Sequence, residues 1–570
     1  MTRVDRLVLA GALALPWLFI WQGLDVTDQG YMLTISRCFL RHPEAVAHTS
    51  HMWLTNTVGG VWDALFGRLG VVGHRALWAI CISLGMFASF RALRSLFSVR
   101  TAVLAVLVTS SFLSGRRDTW FSYNVMTGLL SCLAAVTLLG ALRHNDHRKL
   151  VLTGFLLGLS PFARLPNVLH VSLLAAPVFA ALVDRSRLKL LPRQLAAGAV
   201  GYVLAVLVAF GAMLVLGHFG YYVTAVKDLV APSVPSEYYS QDALSQLLLT
   251  DLIRTVPPGL GIVAAGAGAV WLAPRMPKAA RIALYVVLAG AMLAVLTHTN
   301  HRSSTEAWPI IMVGPSALIL AGIAGGALRR SLDERIACFI GLVALVVTPL
   351  GSGNGVRVSY LGMWFSLPLV FCVLAAAGEG VRAPLRALAL IAGVAVLGES
   401  LHRDMTYTYR DGPRAELLTP IDHPQLRAQF TGEARAKVVG EVLQAIEERV
   451  SRGDLLLAYE GTPLLQFLTY TRPYTGRPWI MTDDVPHLVP GMLSSAQRTF
   501  KCLPVAVRST GSARGSFWPQ DRRRLDKQNK ATRAAIAAFL KEHDYRRTWR
   551  NSFFEILEPP RKPGAPARCR

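Results

Sequence analysis

The chain has 570 residues, 52% of them hydrophobic and only 16% charged, and its 59 Lys and Arg outnumber 35 Asp and Glu for a formal net charge of +24. With a mean hydropathy of +0.39, this excludes an ordinary soluble domain, where roughly 25% of residues are charged. The cationic excess reads as short basic loops between membrane spans and not as a nucleic-acid surface.

In chain order, apolar runs of roughly 17–25 residues recur, about thirteen in all, each long enough to cross about 30 Å of hydrocarbon. They predict a polytopic α-helical membrane domain over residues 1–400. Arg3 and Arg6 precede the first run, and every second loop after it is basic, as in Arg91/Arg94/Arg100 and Arg143/Arg148/Lys149. That alternation predicts a cytoplasmic N-terminus in a bacterial inner membrane, with the C-terminal region outside. Ile20-Trp21-Gln22-Gly23-Leu24 offers no small-residue cleavage site, so the first run reads as a retained span.

The first outer loop covers 23–73. It holds two stretches of helical periodicity, Met32–Leu40 and Trp53–Leu69, which predict helices lying in the interface with Trp53 and Trp62 at headgroup depth. A second long outer loop, 218–255, carries Tyr221, Tyr222, Tyr238 and Tyr239 around two prolines and reads as a cover over a cavity. From 401 the hydropathy falls. A helix over 434–450, a buried strand over 454–459, a helix over 532–541 and a strand over 553–557 predict a small extracytoplasmic α/β domain at 401–558, followed by a disordered tail at 559–570. The seven cysteines form no CxxC pair; Cys502 and Cys569, both external, are able to bond to each other.

Chemistry concentrates in the outer loops. Asp25-Val26-Thr27-Asp28-Gln29-Gly30-Tyr31 places two carboxylates at the lipid–water boundary, where one can serve as general base or accept a hydroxyl or cation. The bland reading is that Asp28 is the first-turn acid of a helix. Arg164 is flanked by prolines in an apolar region, which suits contact with an anion or snorkelling to headgroups. Arg116 and Arg117 break the positive-inside pattern beside Asp118, and Arg302 follows His298 and His301 in a polar outer loop; each is a candidate phosphate or sugar contact. His301, Tyr31 and His51 are further candidates for the same cavity. The two histidines at 298 and 301 have no nearby third ligand, so no metal site is predicted. Gly351–Arg357 is Gly-rich but has neither the strand–loop–helix setting nor the Lys of a P-loop.

These features together resemble the GT-C superfamily of integral-membrane glycosyltransferases that use polyprenyl-phosphate sugars, including protein mannosyltransferases and aminoarabinose transferases. Asp28-Gln29-Gly30-Tyr31 is similar to the Asp-Glu-Gly/Ala-Tyr signature of many bacterial members, with Gln29 where a second acid often stands. The resemblance implies transfer of a sugar, with inversion, from a polyprenyl-phosphate donor to an envelope glycan, lipid or protein acceptor. Asp28, and after it Asp25, would be the catalytic base. It implies no certain cofactor, and Gln29 weakens any divalent-cation site. A flippase of lipid-linked saccharides is the alternative, and it predicts ionisable residues near span midpoints. A non-catalytic envelope scaffold working through residues 401–570 is the third.

Overall fold

The computed structural model describes residues 1–115, 119–230, 241–301, 315–320, 322–323, 331–352, 354–376, 382–480, 488–515, 518–520, 530–560 and 569. The first two thirds are helical: α1 (Arg3–Ala14), α2 (Asp28–Phe39), α3 (Trp53–Phe66), α4 (Gly70–Leu93), α5 (Val99–Ser114), α6 (Tyr123–His144), α7 (His147–Ala163), α8 (Ala176–Val183), α9 (Leu191–Val215), α10 (Phe219–Val230), α11 (Gln241–Leu272), α12 (Lys278–His301), α13 (Leu332–Val347), α14 (Met363–Ala375) and α15 (Arg382–Thr406).

Among the described residues, six helical stretches are long and apolar enough to cross a bilayer: Pro43–Leu93, Tyr123–His144, Leu165–Val183, Leu191–Val215, Ser245–Arg275 and Ala383–Thr406. Other predicted runs form helices too short to span alone, such as α1 with 12 residues, α5 with 16 and α14 with 13. The protein is thus a multi-pass helical membrane protein, and the expected thirteen spans are not reached by helix length. Packing accounts for the short elements. Every residue of α14 from Met363 to Leu374 is buried. Its Trp364 lies so close to Gly85 of α4 and Gly128 of α6 that a Cβ at either glycine would come within 2.5 Å of the indole. Glycines also bring α7 and α9 together, since a Cβ at Gly154 would meet the Gly198 carbonyl at 1.9 Å. Small residues permit this backbone approach, which is how helices associate where lipid removes the hydrophobic drive.

The C-terminal region opens with a two-stranded antiparallel ribbon, β1 (Thr419–Pro420) and β2 (Phe430–Thr431). It continues through α16 (Glu433–Glu447), β3 (Leu455–Tyr459), α17 (Leu464–Leu468), β4 (Arg472–Pro473), α18 (Val489–Phe500), β5 (Val505–Ser509), α19 (Lys530–Glu542), β6 (Arg546–Arg550) and β7 (Phe554–Glu558). The five longer-range strands form one sheet in the order β4-β3-β5-β7-β6, in which β4, β3 and β5 are parallel and β7 and β6 antiparallel. Every residue of β3 is buried. Leu456 and Ala458 face a core with α16, while Leu455, Leu457 and Tyr459 face one with α18 and α19, so helices cover both sides. The expected helices at 434–450 and 532–541 and the strands at 454–459 and 553–557 all form. Cys569 is bonded to Cys502, and its carbonyl accepts from the Leu455 N–H at 2.7 Å, so the end of the chain is tied to the start of β3.

The first outer loop departs from an interfacial reading. α2 forms where periodicity places it, but most of it is buried between the bundle and the α/β domain. Leu24, Val26 and Leu33 share a core with α16 and α17. The Leu464 N–H donates to the Val26 carbonyl at 3.1 Å, and the Thr34 hydroxyl to the Pro463 carbonyl at 2.8 Å. Trp53 is 4% exposed, its indole N–H donating to His218, so it is a packing residue and not a headgroup anchor. α3 does keep an exposed apolar edge at Val61, Leu65 and Phe66, as an interfacial helix should.

Gly30 packs backbone to backbone at this seam: a Cβ there would lie 2.3 Å from the Leu464 amide nitrogen and 2.6 Å from its Cα. Both obstacles are backbone, so the seam must open to admit a side chain. Gly30→Ala should lower stability by about 1–3 kcal/mol. The check is the thermal unfolding midpoint of the purified full chain; an unchanged midpoint would contradict the packing described.

Candidate active site

The site is assembled from the start of α2 and the segment that leaves α15. Asp25 is 1% exposed. Its Oδ1 accepts the Thr27 N–H at 2.9 Å and the Thr27 hydroxyl, and its Oδ2 accepts the Gln29 N–H at 2.8 Å. Asp25 therefore satisfies amides that the first turn of α2 leaves without helical partners. Burial pushes its carboxyl above the ordinary aspartate range, while Arg410 pulls it back and Asp28 adds to the rise.

Asp28 is the first residue of α2 and its side chain is 32% exposed. Arg410 Nη2 lies 2.9 Å from Asp28 Oδ2, and the Tyr409 hydroxyl donates to the same oxygen at 2.5 Å. Arg410 Nη1 donates to the Thr27 hydroxyl and lies 3.9 Å from Asp25 Oδ1. One guanidinium thus spans both carboxylates. Burial opposes its charge, but Asp28 and Asp25 outweigh burial and hold its proton more firmly than in a free arginine.

Arg410 is held in place by its neighbours. Its backbone adopts φ +55°, and its carbonyl accepts the Trp518 indole N–H at 3.2 Å. The next residue, Asp411, is 1% exposed and accepts from the Leu24 N–H at 2.7 Å, the Thr431 hydroxyl at 2.6 Å, the Gly412 N–H at 2.8 Å and Arg435. This carboxylate ties the exit of α15, the approach to α2 and the base of α16 into one knot.

Beside Asp25 lies a small polar crevice of about 20 Å³, room for little more than a water, whose lining includes Asp25, Arg75, Trp120, Asp404, Tyr409 and Arg414. Trp120 and Tyr409 stack at a tilt with centroids 5.2 Å apart. Arg75, 2% exposed, donates to the carbonyls of Ile20, Gln22 and Gly23 and to Gln29 Oε1 at 2.7–3.1 Å. Gln29, which stands where an acid was sought, is therefore a neutral acceptor for a buried arginine.

Of the residues singled out in the sequence, the structure brings together Asp25 and Asp28. Tyr31 sits one turn further along α2, edge-on to Trp479 at 5.9 Å. His51 lies apart from the crevice lining, its Nδ1 without a hydrogen-bond partner among the described residues. Arg164 ends α7, is 8% exposed and reaches the Thr348 carbonyl at 3.4 Å; it does not line the crevice. Arg116, Arg117 and Arg302 lie outside the described residues, as does the side chain of His301. No group of three metal-ligating side chains occurs among the described residues. Sequence reading missed Arg410, Tyr409, Asp404 and Arg414. The available signal was Tyr407-Thr408-Tyr409-Arg410-Asp411, aromatic and charged residues directly after the last apolar helix.

No protein-family model and no curated protein matches the chain. Among solved structures it is similar to the oligosaccharyltransferase AglB of Archaeoglobus fulgidus in complex with an inhibitory peptide and a dolichol-phosphate, at 13% identity and a TM-score of 0.44, over 89% of this chain and 69% of that one. It is also similar to ArnT from Cupriavidus metallidurans bound to undecaprenyl phosphate, at 16% identity and a TM-score of 0.42, over 97% of each chain.

The Asp411 knot makes a separate prediction. Removing one partner of a buried ion pair typically costs about 3–5 kcal/mol, so Asp411→Ala should destabilise the purified protein far more than Asp28→Asn, whose carboxylate is partly solvated. Thermal unfolding of both variants is the check; equal midpoints would show that Asp411 is not the anchor.

Proposed function

We propose that the protein is a membrane glycosyltransferase of the GT-C type. It moves a sugar from a polyprenyl-phosphate donor to a glycan, lipid or protein acceptor on the outer face of the membrane. The observation that carries this reading is the partly exposed Asp28 carboxylate held by Arg410 where the spanning helices meet the α/β domain. A donor with an apolar tail keeps that tail in the bilayer and presents its sugar phosphate at this level. The Cys502–Cys569 disulfide supports an oxidising compartment for the domain, hence an extracytoplasmic C-terminal region.

The two aspartates divide the work. Asp25 already accepts three hydrogen bonds and is buried, so it positions α2. Asp28 is the base: one of its oxygens takes the proton of the acceptor hydroxyl as that oxygen attacks the anomeric carbon. The bond from the anomeric carbon to the donor phosphate oxygen breaks, and its electron pair leaves with the phosphate, a single displacement that inverts the anomeric centre. General-base assistance of this kind contributes roughly 10²–10⁴-fold. Arg410 is the cation for the departing phosphate, since a guanidinium can grip two phosphate oxygens at once. Taking up the phosphate draws Arg410 from Asp28 and leaves the carboxylate free to accept a proton. Arg164, Arg116, Arg117 and Arg302 remain further candidate phosphate contacts, and His51, His301 and Tyr31 candidate sugar contacts.

The test is polyprenyl phosphate titrated into the full chain in nanodiscs. Wild type should bind saturably, and Arg410→Ala should weaken binding by about tenfold or more, the worth of a charge-assisted hydrogen bond. Absence of saturable binding by wild type, or equal affinity in the variant, would sink the assignment.

A further inference from the structure

Among the described residues from 408 onward, one large apolar side chain lies exposed: Leu418, at 70%. A lone exposed leucine needs no explanation; this one is marked by its surroundings. It stands on the segment Arg414–Leu418, between the exit of α15 and the β ribbon. The Gln22 side-chain amide donates to the carbonyls of Arg414 and Leu417, both at 3.3 Å. The Arg414 guanidinium lies 4.2 Å from the centre of the Phe19 ring, and its Nε donates to the Asp404 carbonyl near the end of α15. On the other strand of the ribbon, the Phe430 N–H donates to the Trp21 carbonyl at 2.8 Å. The turn between the strands lies so close to α4 that a Cβ at Gly70 would meet the Gln425 carbonyl oxygen at 2.1 Å.

The helix ends gathered against the ribbon are themselves apolar and exposed: Leu18 and Trp21, which follow α1, Leu65 and Leu69, which precede α4, and Leu401 and Met405, in the last turns of α15. α4 and α15 belong to stretches long and apolar enough to cross a bilayer, so these side chains mark where the spans leave the hydrocarbon. An indole such as that of Trp21 favours this boundary. Arg68 and Arg427 are exposed nearby, as are the acids Glu416 and Asp422. The two signs balance, so the surface fits the bilayer boundary itself and not an anionic headgroup in particular.

We infer that the β ribbon is seated in the membrane boundary, with the Leu418 side chain among the upper acyl chains of the leaflet that faces the α/β domain. An apolar patch rimmed by polar residues marks contact with a protein or a membrane. Here the spanning helices run directly into the patch, and that continuity selects lipid as the occupant. Arg410 and Leu418 lie on the one segment that leaves α15, so a lipid seat for the ribbon sets the height of Arg410 relative to the hydrocarbon. The inference stands apart from the transfer chemistry, since it needs only the spans and the ribbon.

The test attaches a fluorophore to Leu418→Cys in the full chain, reconstituted in phosphatidylcholine nanodiscs that contain nitroxide-labelled lipid. The native thiols do not compete, because Cys38, Cys81, Cys132, Cys338 and Cys372 are buried and Cys502 is bonded to Cys569. Lys541→Cys, exposed near the end of α19 and carrying the same fluorophore, is the comparison. Interfacial apolar groups lie about 5–10 Å into the headgroup–acyl boundary, so a nitroxide near the glycerol end of the acyl chain should quench the label at 418 by about half or more. The label at 541 should keep its emission, and a nitroxide at the chain terminus should quench position 418 less than the shallow one does. Equal quenching at the two positions, or stronger quenching of 418 by the deep nitroxide, would overturn the seat while leaving the assignments of Asp28 and Arg410 untouched.

Discussion

A single buried carboxylate, Asp411, fixes the geometry on which the site depends. Its oxygens gather the Leu24 amide, the Thr431 hydroxyl and the Arg435 guanidinium. Those partners belong to the approach to α2, the β ribbon and α16. A charge held in the interior is costly unless its lone pairs are satisfied, so the three segments are obliged to meet there. Arg410, one residue earlier, is thereby delivered to Asp25 and Asp28 in a fixed orientation. The chemistry at the junction is a consequence of that anchoring.

The α/β domain is accordingly part of the site and not an appendage. α2 lies against Leu464 so closely that only glycine fits at position 30. The domain packs on one side of α2, at Leu33, and the helical bundle on the other, at Met32, Ile35 and Phe39. Between them, Asp25 and Asp28 have nearly identical sequence surroundings and opposite physical states. One is buried with its oxygens occupied; the other faces the guanidinium and solvent.

That contrast marks how far the sequence could be read. Hydropathy made the helical membrane region legible, and the uninterrupted apolar run Leu455–Tyr459 and the amphipathic helix α16 made the α/β domain legible. β4 was not, because two residues carry no periodicity, and β5 was not, because Val505-Ala506-Val507 is too short a run to separate from a helix segment. The carboxylate pair stood out against a basic composition, so half of the site was visible. Arg410 was not, because its role arises from contacts with Thr27, Asp25 and Asp28, about two thirds of the chain away. Nor could spacing reveal that α2, amphipathic by pattern, is covered by protein on its polar side as well.

The central claim is that Asp28 accepts the proton while Asp25 and Arg410 arrange the site. The most direct measurement is mass-spectrometric analysis of lipid-linked sugars and envelope glycans in cells whose only copy of the protein carries Asp28→Asn, at expression matched to wild type. In these cells a lipid-linked sugar should accumulate and a glycosylated product disappear. Unchanged product with the Asp28→Asn protein present at normal level would contradict it.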